Sequence, residues 1–343
     1  MVFQDIMKGS IVLFVWKRGC WNSATIYREG TEMKILVTGV TGFIGSHLVP
    51  MLVEKEHSVW GMERYVTGRI GRPHDVKTVY ADLNDGFTVR KAIRTVKPEA
   101  VVHLASISAV SYSYEHPQEV MRTNLVGTIN LAEACLRETD SFKQFLFAGT
   151  SEAYGNNGYT LQLEEYPLCP ASPYAVSKVA CEKYLSYMKE AYDFPVTILR
   201  PFNTYGRKED YHFLIEKTIV QMLTQKTVQL VDPTPIRDWM YVDDHVDAYL
   251  TCLKNEKAIG ETFNFCTGKG YSVKETVDKI AELTGFKGEI QWSSAPSRPT
   301  ESKVIIGSYQ KASKVLGWNS HYSLEEGLKE TIEYWRERFK VTT

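Results

Sequence analysis

The chain has 343 residues, 43% of them hydrophobic, with 40 Lys and Arg against 41 Asp and Glu and a formal net charge of -1. At about 100–200 residues per domain, that length allows two or three domains around a real core, with no disulfide or metal staple required. The balanced charge gives no basic surface for nucleic acid or membrane, and no apolar run approaches the roughly 20 residues of a bilayer span, so the reading is a soluble, cytoplasmic protein. The 6 cysteines are scattered without a C-x-x-C pair and the 8 histidines form no H-x-x-x-H group. No metal site is therefore expected, and the cysteines read as small buried hydrophobes.

Residues 1–32 carry one short apolar run, Ile11–Trp16, followed by Lys17-Arg18. A signal peptide needs a basic start, a longer apolar middle and a small-residue cleavage site, none of which is evident. The stretch reads as an extension, or as sequence upstream of a start at Met33; the alternative is a targeting or membrane-touching segment. From Met33 onward, short apolar runs alternate with amphipathic stretches. Strands are expected over residues 34–38, 58–63, 78–81, 100–104, 144–148 and 196–200, with helices over 44–54, 88–96, 118–137 and 172–192 between them. That rhythm predicts an α/β fold, a Rossmann-like doubly wound parallel sheet covered on both faces. After Arg200 the pattern loosens. Helices 212–224, 242–254, 273–284 and 323–339, with β-like pieces at 228–231, 262–265 and 289–292, suggest a smaller C-terminal α/β lobe. The expected division is residues 33–200 plus about 236–260 for the large domain, and about 201–235 plus 261–343 for the lobe.

The first strand runs into Gly39-Val40-Thr41-Gly42-Phe43-Ile44-Gly45 and then a helix. Glycines there let backbone approach a pyrophosphate, and the helix start offers free amides and partial positive charge. A glycine trio alone is weak, since tight turns need glycine anyway; its place after the first parallel strand is what points to a dinucleotide. Glu63 ends the second strand, 18 residues after Gly45. A carboxylate there accepts from ribose hydroxyls and repels a 2′-phosphate, favouring NAD, while the neighbouring Arg64 leaves NADP open. Asp82-Leu83 after the third strand and Leu104-Ala105-Ser106 after the fourth lie where such sheets place ligands, at the carboxyl ends of strands.

Tyr174 and Lys178 stand at i and i+4 at the start of a helix, on one face. An ammonium near a phenol favours the phenolate, which would take a hydroxyl proton while hydride leaves the same carbon. The strand ending at Ala148 leads into Gly149-Thr150-Ser151-Glu152. Thr150 can donate to the reacting oxygen. Glu152 adds what a plain alcohol oxidation does not need, a base for a proton beside a new ketone; the plainer reading of Glu152 is a loop ion pair.

Gly39–Gly45, Leu104–Ser106, Thr150-Ser151-Glu152, Tyr174–Lys178 and Arg200-Pro201-Phe202-Asn203 together resemble the extended short-chain dehydrogenase/reductases that modify nucleotide sugars, from residue 33 to about 338. The resemblance implies a tightly held nicotinamide cofactor, a nucleoside-diphosphate sugar substrate, and a homodimer (or tetramer) built on two helices, one carrying Tyr174 and Lys178. Thr-Ser-Glu is similar to the active-site strip of GDP-mannose 4,6-dehydratases, as is Arg298-Pro299-Thr300-Glu301; Arg237-Asp238-Trp239 looks more like dTDP-glucose dehydratases. Glu63-Arg64 departs from the arginine pair of the GDP-mannose enzymes. The implied reaction is C4 oxidation, loss of water across C5 and C6 through Glu152 and Ser151, and hydride return to C6. Arg237 and Arg298 are assigned to the substrate diphosphate because a guanidinium fork suits phosphate oxygens. Asn203 is assigned beside them, and Ser108 and Ser111 to the sugar. The alternatives are a 4-epimerase, a UDP-glucuronate decarboxylase and a non-catalytic NAD-binding module.

Overall fold

The computed structural model describes residues 14–17, 20–23, 32–64, 76–208, 210–211, 213–293, 300 and 302–340. The backbone of Phe14–Lys17 pairs antiparallel with that of Cys20–Ser23; apart from these and Glu32, the expected N-terminal extension lies outside the described residues. Among the described residues no helix is long and apolar enough to cross a membrane.

Seven parallel strands form the main sheet: β1 (Lys34–Thr38), β2 (Ser58–Glu63), β3 (Lys77–Tyr80), β4 (Ala100–His103), β5 (Gln144–Ala148), β6 (Val196–Pro201) and β7 (Thr262–Phe265). Their order is β7-β6-β5-β4-β1-β2-β3, so the direction of winding reverses between β1 and β4. Ile35–Thr38 and all of β4 are buried, because helices cover both faces and no residue of these strands has a solvent side. One face packs Leu48, Val49 and Leu52 of helix Phe43–Glu54 with Val242, Val246 and Tyr249 of helix Val242–Cys252. The other packs Val89, Ile93, Leu131, Cys181, Leu185 and Met188 from the helices between. The ends of β1 and β4 at the reversal form the crevice where open sheets of this kind bind ligands.

A smaller mixed sheet holds Asn203–Tyr205, Ile236–Tyr241, Val304–Gly307 and Leu161–Gln162 side by side, with Gly270–Ser272 antiparallel to Ile236–Tyr241. Helices Leu214–Thr224, Val273–Thr284 and Leu324–Phe339 close a third core around Ile219, Val277, Leu328 and Trp335. Asp238 pins this sheet to the segment leaving β7: its buried carboxylate accepts from Thr267 N (2.9 Å), Thr267 Oγ1 (2.6 Å) and Gly268 N (2.9 Å).

Two boundaries differ from the sequence reading. Thr262–Phe265, assigned there to the smaller lobe, is an edge strand of the main sheet, with Phe263, Asn264 and Phe265 fully buried. Ile236–Tyr241, assigned to the large domain, is the central strand of the small sheet. The expected helix over 118–137 is interrupted: Pro117–Met121 and Gly127–Glu138 flank a π-helical turn, Arg122–Val126. That widened turn seats Asn124 in the interior, where it accepts from Ile107 N (2.8 Å) and donates to Ser177 Oγ (2.9 Å).

Candidate active site

The turn after β1 is built around two glycines that nothing larger can replace. Gly39 has φ +72°, and a Cβ on it would lie 2.9 Å from Ala105 N. A Cβ on Gly45 would lie 2.2 Å from Gly39 O, so the helix can approach the strand only with hydrogen there. Gly42 is the N-cap of helix Phe43–Glu54 and supplies no side-chain cap. The first-turn amides of Phe43, Ile44 and Gly45 are therefore left without a side-chain cap at the positive end of the helix dipole, an arrangement that suits phosphate.

A buried relay fixes the facing loop. Thr38 Oγ1 accepts from Ala105 N (3.1 Å) and lies 2.7 Å from His103 Nδ1, and His103 Nε2 lies 3.0 Å from Thr128 Oγ1. Thr128 gives its proton to Asn124 O (2.6 Å), so Nε2 must donate to Thr128 and Nδ1 must accept from Thr38. Burial holds His103 down to about 3, so the ring is neutral and the relay stays intact through the physiological range.

Gly39, Glu63, Arg64, Asp82, Leu83, Ala105 and Ser106 line one cavity, which also takes in Asn84, Ile107 and Thr123. Cofactor residues read from four strand ends are thus brought together, whereas Gly42, Phe43, Ile44 and Gly45 are not in the lining of this cavity. Leu104 is half-buried against the core beneath.

Thr150 caps a short 3-10 turn, Ser151–Ala153, accepting from Glu152 N at 3.2 Å. The Thr150 hydroxyl and the Glu152 carboxylate both lie close enough to the Tyr174 phenol to act on it. Ser151 is buried and Glu152 half-buried. Ser172 caps helix Pro173–Tyr192 through Ala175 N (3.1 Å), with Pro173 at the first helical position, so Tyr174 and Lys178 face the end of β5 together. The expected electrostatic pairing of the two is not what the structure contains. Lys178 Nζ donates to Ala148 O at 2.8 Å and stands 5.0 Å from the centre of the Phe147 ring. Burial, the largest cause, pushes the Tyr174 phenol up to about 12 and pulls the Lys178 ammonium down to about 8. Desolvation outweighs mutual attraction here, so Lys178 is committed first to a backbone carbonyl.

On the small-sheet side, Asn203 Oδ1 is buried with no hydrogen-bond partner among the described residues. Arg237 is buried and donates to Ile236 O at 3.0 Å. Ser108 and Ser111 are exposed, in the loop after β4 and on helix Val110–Glu115. Arg298 lies outside the described residues. Sequence reasoning missed Arg207, whose guanidinium carbon lies 4.3 Å from the Phe43 ring centre and 3.6 Å from that of Phe213. No motif flags it, because its neighbours are far apart in the chain.

Comparison with known proteins points to one family, divided between 4,6-dehydratases and 4-epimerases. The family model described as GDP-mannose 4,6 dehydratase matches residues 36–331. The dTDP-glucose 4,6-dehydratase of Shigella flexneri is 30% identical, over 88% of this chain and 92% of that protein. Among solved structures, the UDP-glucose 4-epimerase of Thermotoga maritima with UDP-glucose superposes with a TM-score of 0.84 at 32% identity, covering 90% of this chain and 100% of that one. The UDP-glucose 4-epimerase of Thermus thermophilus in complex with NAD gives 0.80 at 32%, covering 89% and 99%.

Proposed function

This chain belongs to the extended short-chain dehydrogenase/reductase family of NAD-dependent epimerases and dehydratases, and from that premise we propose that it is a nucleoside-diphosphate-hexose 4,6-dehydratase using NAD, with GDP-mannose as first-choice substrate. The observation that carries the reading is the placement of Glu152 on the turn after β5, near enough to Tyr174 to act on its phenol. An epimerase returns hydride to C4 and has no use for a second base; elimination across C5 and C6 does.

The residues fit NAD. Gly39 and Gly45 permit the tight turn from β1 into helix Phe43–Glu54 beside the cavity, and Glu63 lines that cavity, where a carboxylate can accept from a ribose diol. When bound, NAD supplies a reversible hydride acceptor. The protein's own groups handle the protons. Tyr174 takes the proton of the sugar C4 hydroxyl while Thr150 holds that oxygen. Burial otherwise keeps this phenol protonated, and the positively charged nicotinamide ring would favour its phenolate. Glu152 removes the C5 proton made acidic by the C4 ketone and passes it to the C6 hydroxyl, which departs as water, with Ser151 beside it; when hydride comes back to C6, C5 takes a proton from solvent. Each such general acid–base step is worth about 10²–10⁴-fold. Asn203 and Arg237 are assigned to the substrate diphosphate; Arg298 joins them from its sequence context alone.

A 4-epimerase is the second reading, favoured by the 4-epimerase relatives of similar sequence. Incubation with NAD and GDP-mannose, dTDP-glucose or UDP-glucose in heavy water separates the two. Dehydration gives a product lighter by one water with deuterium at C5. An isomer of unchanged mass without deuterium sinks the dehydratase. Glu152→Gln is expected to lower water loss by about 10²–10⁴-fold while C4 oxidation remains detectable.

A further inference from the structure

Arg207 is the strongest charged group of the interior that the proposed chemistry leaves unused. It follows Gly206, which has φ +102° and turns the chain out of Asn203–Tyr205. Its guanidinium is sandwiched between Phe43, the first residue of the helix at the glycine turn, and Phe213, the N-cap of helix Leu214–Thr224. The clamp thus links helix Phe43–Glu54, packed on the main sheet, to helix Leu214–Thr224 of the smaller lobe. Nη1 donates to Thr204 O at 2.7 Å; among the described residues the guanidinium meets no other acceptor, although it carries five N–H donors.

The acidic residues nearby do not spend those donors. Glu216 Oε1 accepts from the backbone amides of Gly206 (2.8 Å) and Arg207 (2.9 Å), and Asp210 acts on the guanidinium only through space. Facing it from helix Val242–Cys252 is His245. Thr204 Oγ1 donates to Phe202 O (3.0 Å), so it accepts from His245 Nδ1 (3.0 Å), and the ring is neutral. His245 Nε2 is then a buried acceptor without a partner among the described residues. Burial, and the Arg207 charge second, pull that imidazole down to about 3.

A planar, always-charged fork with most donors unspent, held against Phe43 at the start of a helix whose first amides have no side-chain cap, is matched by one ligand chemistry: a diphosphate. We propose that Arg207 is a diphosphate-binding residue, held in register by the Phe43–Phe213 sandwich and acting with the amides of helix Phe43–Glu54. The diphosphate is that of the dinucleotide or that of the sugar nucleotide. The inference rests on the nucleotide-binding part of the reading above and not on dehydration, and its test reads binding without turnover, so the two can fail separately.

Calorimetry of the full chain with NAD, and separately with UDP and GDP, distinguishes the sources. Arg207→Gln is expected to weaken one of them by about 10–100-fold, the range of a lost charge-assisted fork. Loss for NAD assigns the dinucleotide; loss for UDP or GDP assigns the substrate. Arg207→Lys should recover only part, and Phe213→Leu, which loosens the sandwich and keeps the charge, should weaken the same ligand by several-fold. Adenosine, which has no phosphate, should bind each variant as it binds the wild type. Unchanged affinity for NAD, UDP and GDP within about twofold overturns the proposal, as does an equal loss for adenosine. If Arg207→Gln does not fold, Phe213→Leu decides by the same criteria.

Discussion

Lys178 shows how a single functional residue can oppose the fold that holds it. It is buried, and its ammonium is pulled down to about 8 against 10.5 for an ordinary lysine. Below pH 8 both folded and unfolded chains carry the proton, and the folded chain bears the whole burial penalty. Between pH 8 and 10.5 the unfolded chain binds more protons, so stability rises with pH across that window. Lys178→Met should therefore be more stable than wild type at pH 7, by up to about 3 kcal/mol for a shift of this size. The difference should shrink to nothing by about pH 10.5, while turnover is lost throughout. Denaturant titrations at pH 7, 9 and 10.5 check this; a less stable variant at pH 7 would mean that the bond to Ala148 O outweighs desolvation. The Tyr174–Lys178 spacing was legible in sequence, because helical geometry alone puts i and i+4 on one face. The sign of their electrostatics was not, since burial depends on residues from other strands.

At the scale of elements, the helix that carries Tyr174 and Lys178 is fixed by a buried charge pair one turn beyond Lys178. Glu182, one turn beyond Lys178, meets Arg200 at the end of β6 at 2.7 Å, and Arg200 Nη1 also donates to Tyr154 (2.9 Å) and to Glu164 O (3.1 Å). Both partners are at least nine-tenths buried, with side-chain exposures of 7% and 4%. Glu182→Gln leaves a buried guanidinium short of its counter-charge, a change that costs about 3–5 kcal/mol. Urea unfolding should show a loss of that order, whereas a loss below about 1 kcal/mol, the value of an exposed pair, would place the helix under other control. Arg200 had entered the sequence reading only as part of the Arg200–Asn203 motif. Buried strands such as β1, β5 and β6 were readable because runs such as Ile35-Leu36-Val37 and Phe145-Leu146-Phe147-Ala148, rich in β-branched and aromatic residues, recur between amphipathic helical stretches. Asn203–Tyr205, Gly270–Ser272 and Val304–Gly307 were not, since three or four residues carry no usable period. The π-helical turn at Arg122–Val126 was equally silent: one inserted residue barely disturbs an amphipathic pattern.

For the whole molecule, the consequential fact is how often the chain crosses between its sheets. It leaves the main sheet after Pro201 and enters the small one at Asn203. It returns through helix Val242–Cys252 and β7, then crosses again at Gly270. Neither sheet is a continuous segment, so neither can melt while the other keeps its strands in register. We therefore expect one cooperative transition, with main-sheet circular dichroism and the fluorescence of small-lobe tryptophans such as Trp239 and Trp335 falling together. A ligand held by the ends of β1 to β4 then stabilises every element at once. At a concentration 100 times its dissociation constant, NAD should add about 2.7 kcal/mol and raise the midpoint by about 5 °C. Because Glu63 lines the cavity and would meet a 2′-phosphate, NADP at the same concentration should raise it less, and Glu63→Ala should narrow the gap. Two resolved transitions, with only the first moved by NAD, would show that the crossings do not couple the sheets and that the lobes are independent domains. Equal shifts from the two cofactors in the wild type would instead transfer control of the 2′ position from Glu63 to Arg64.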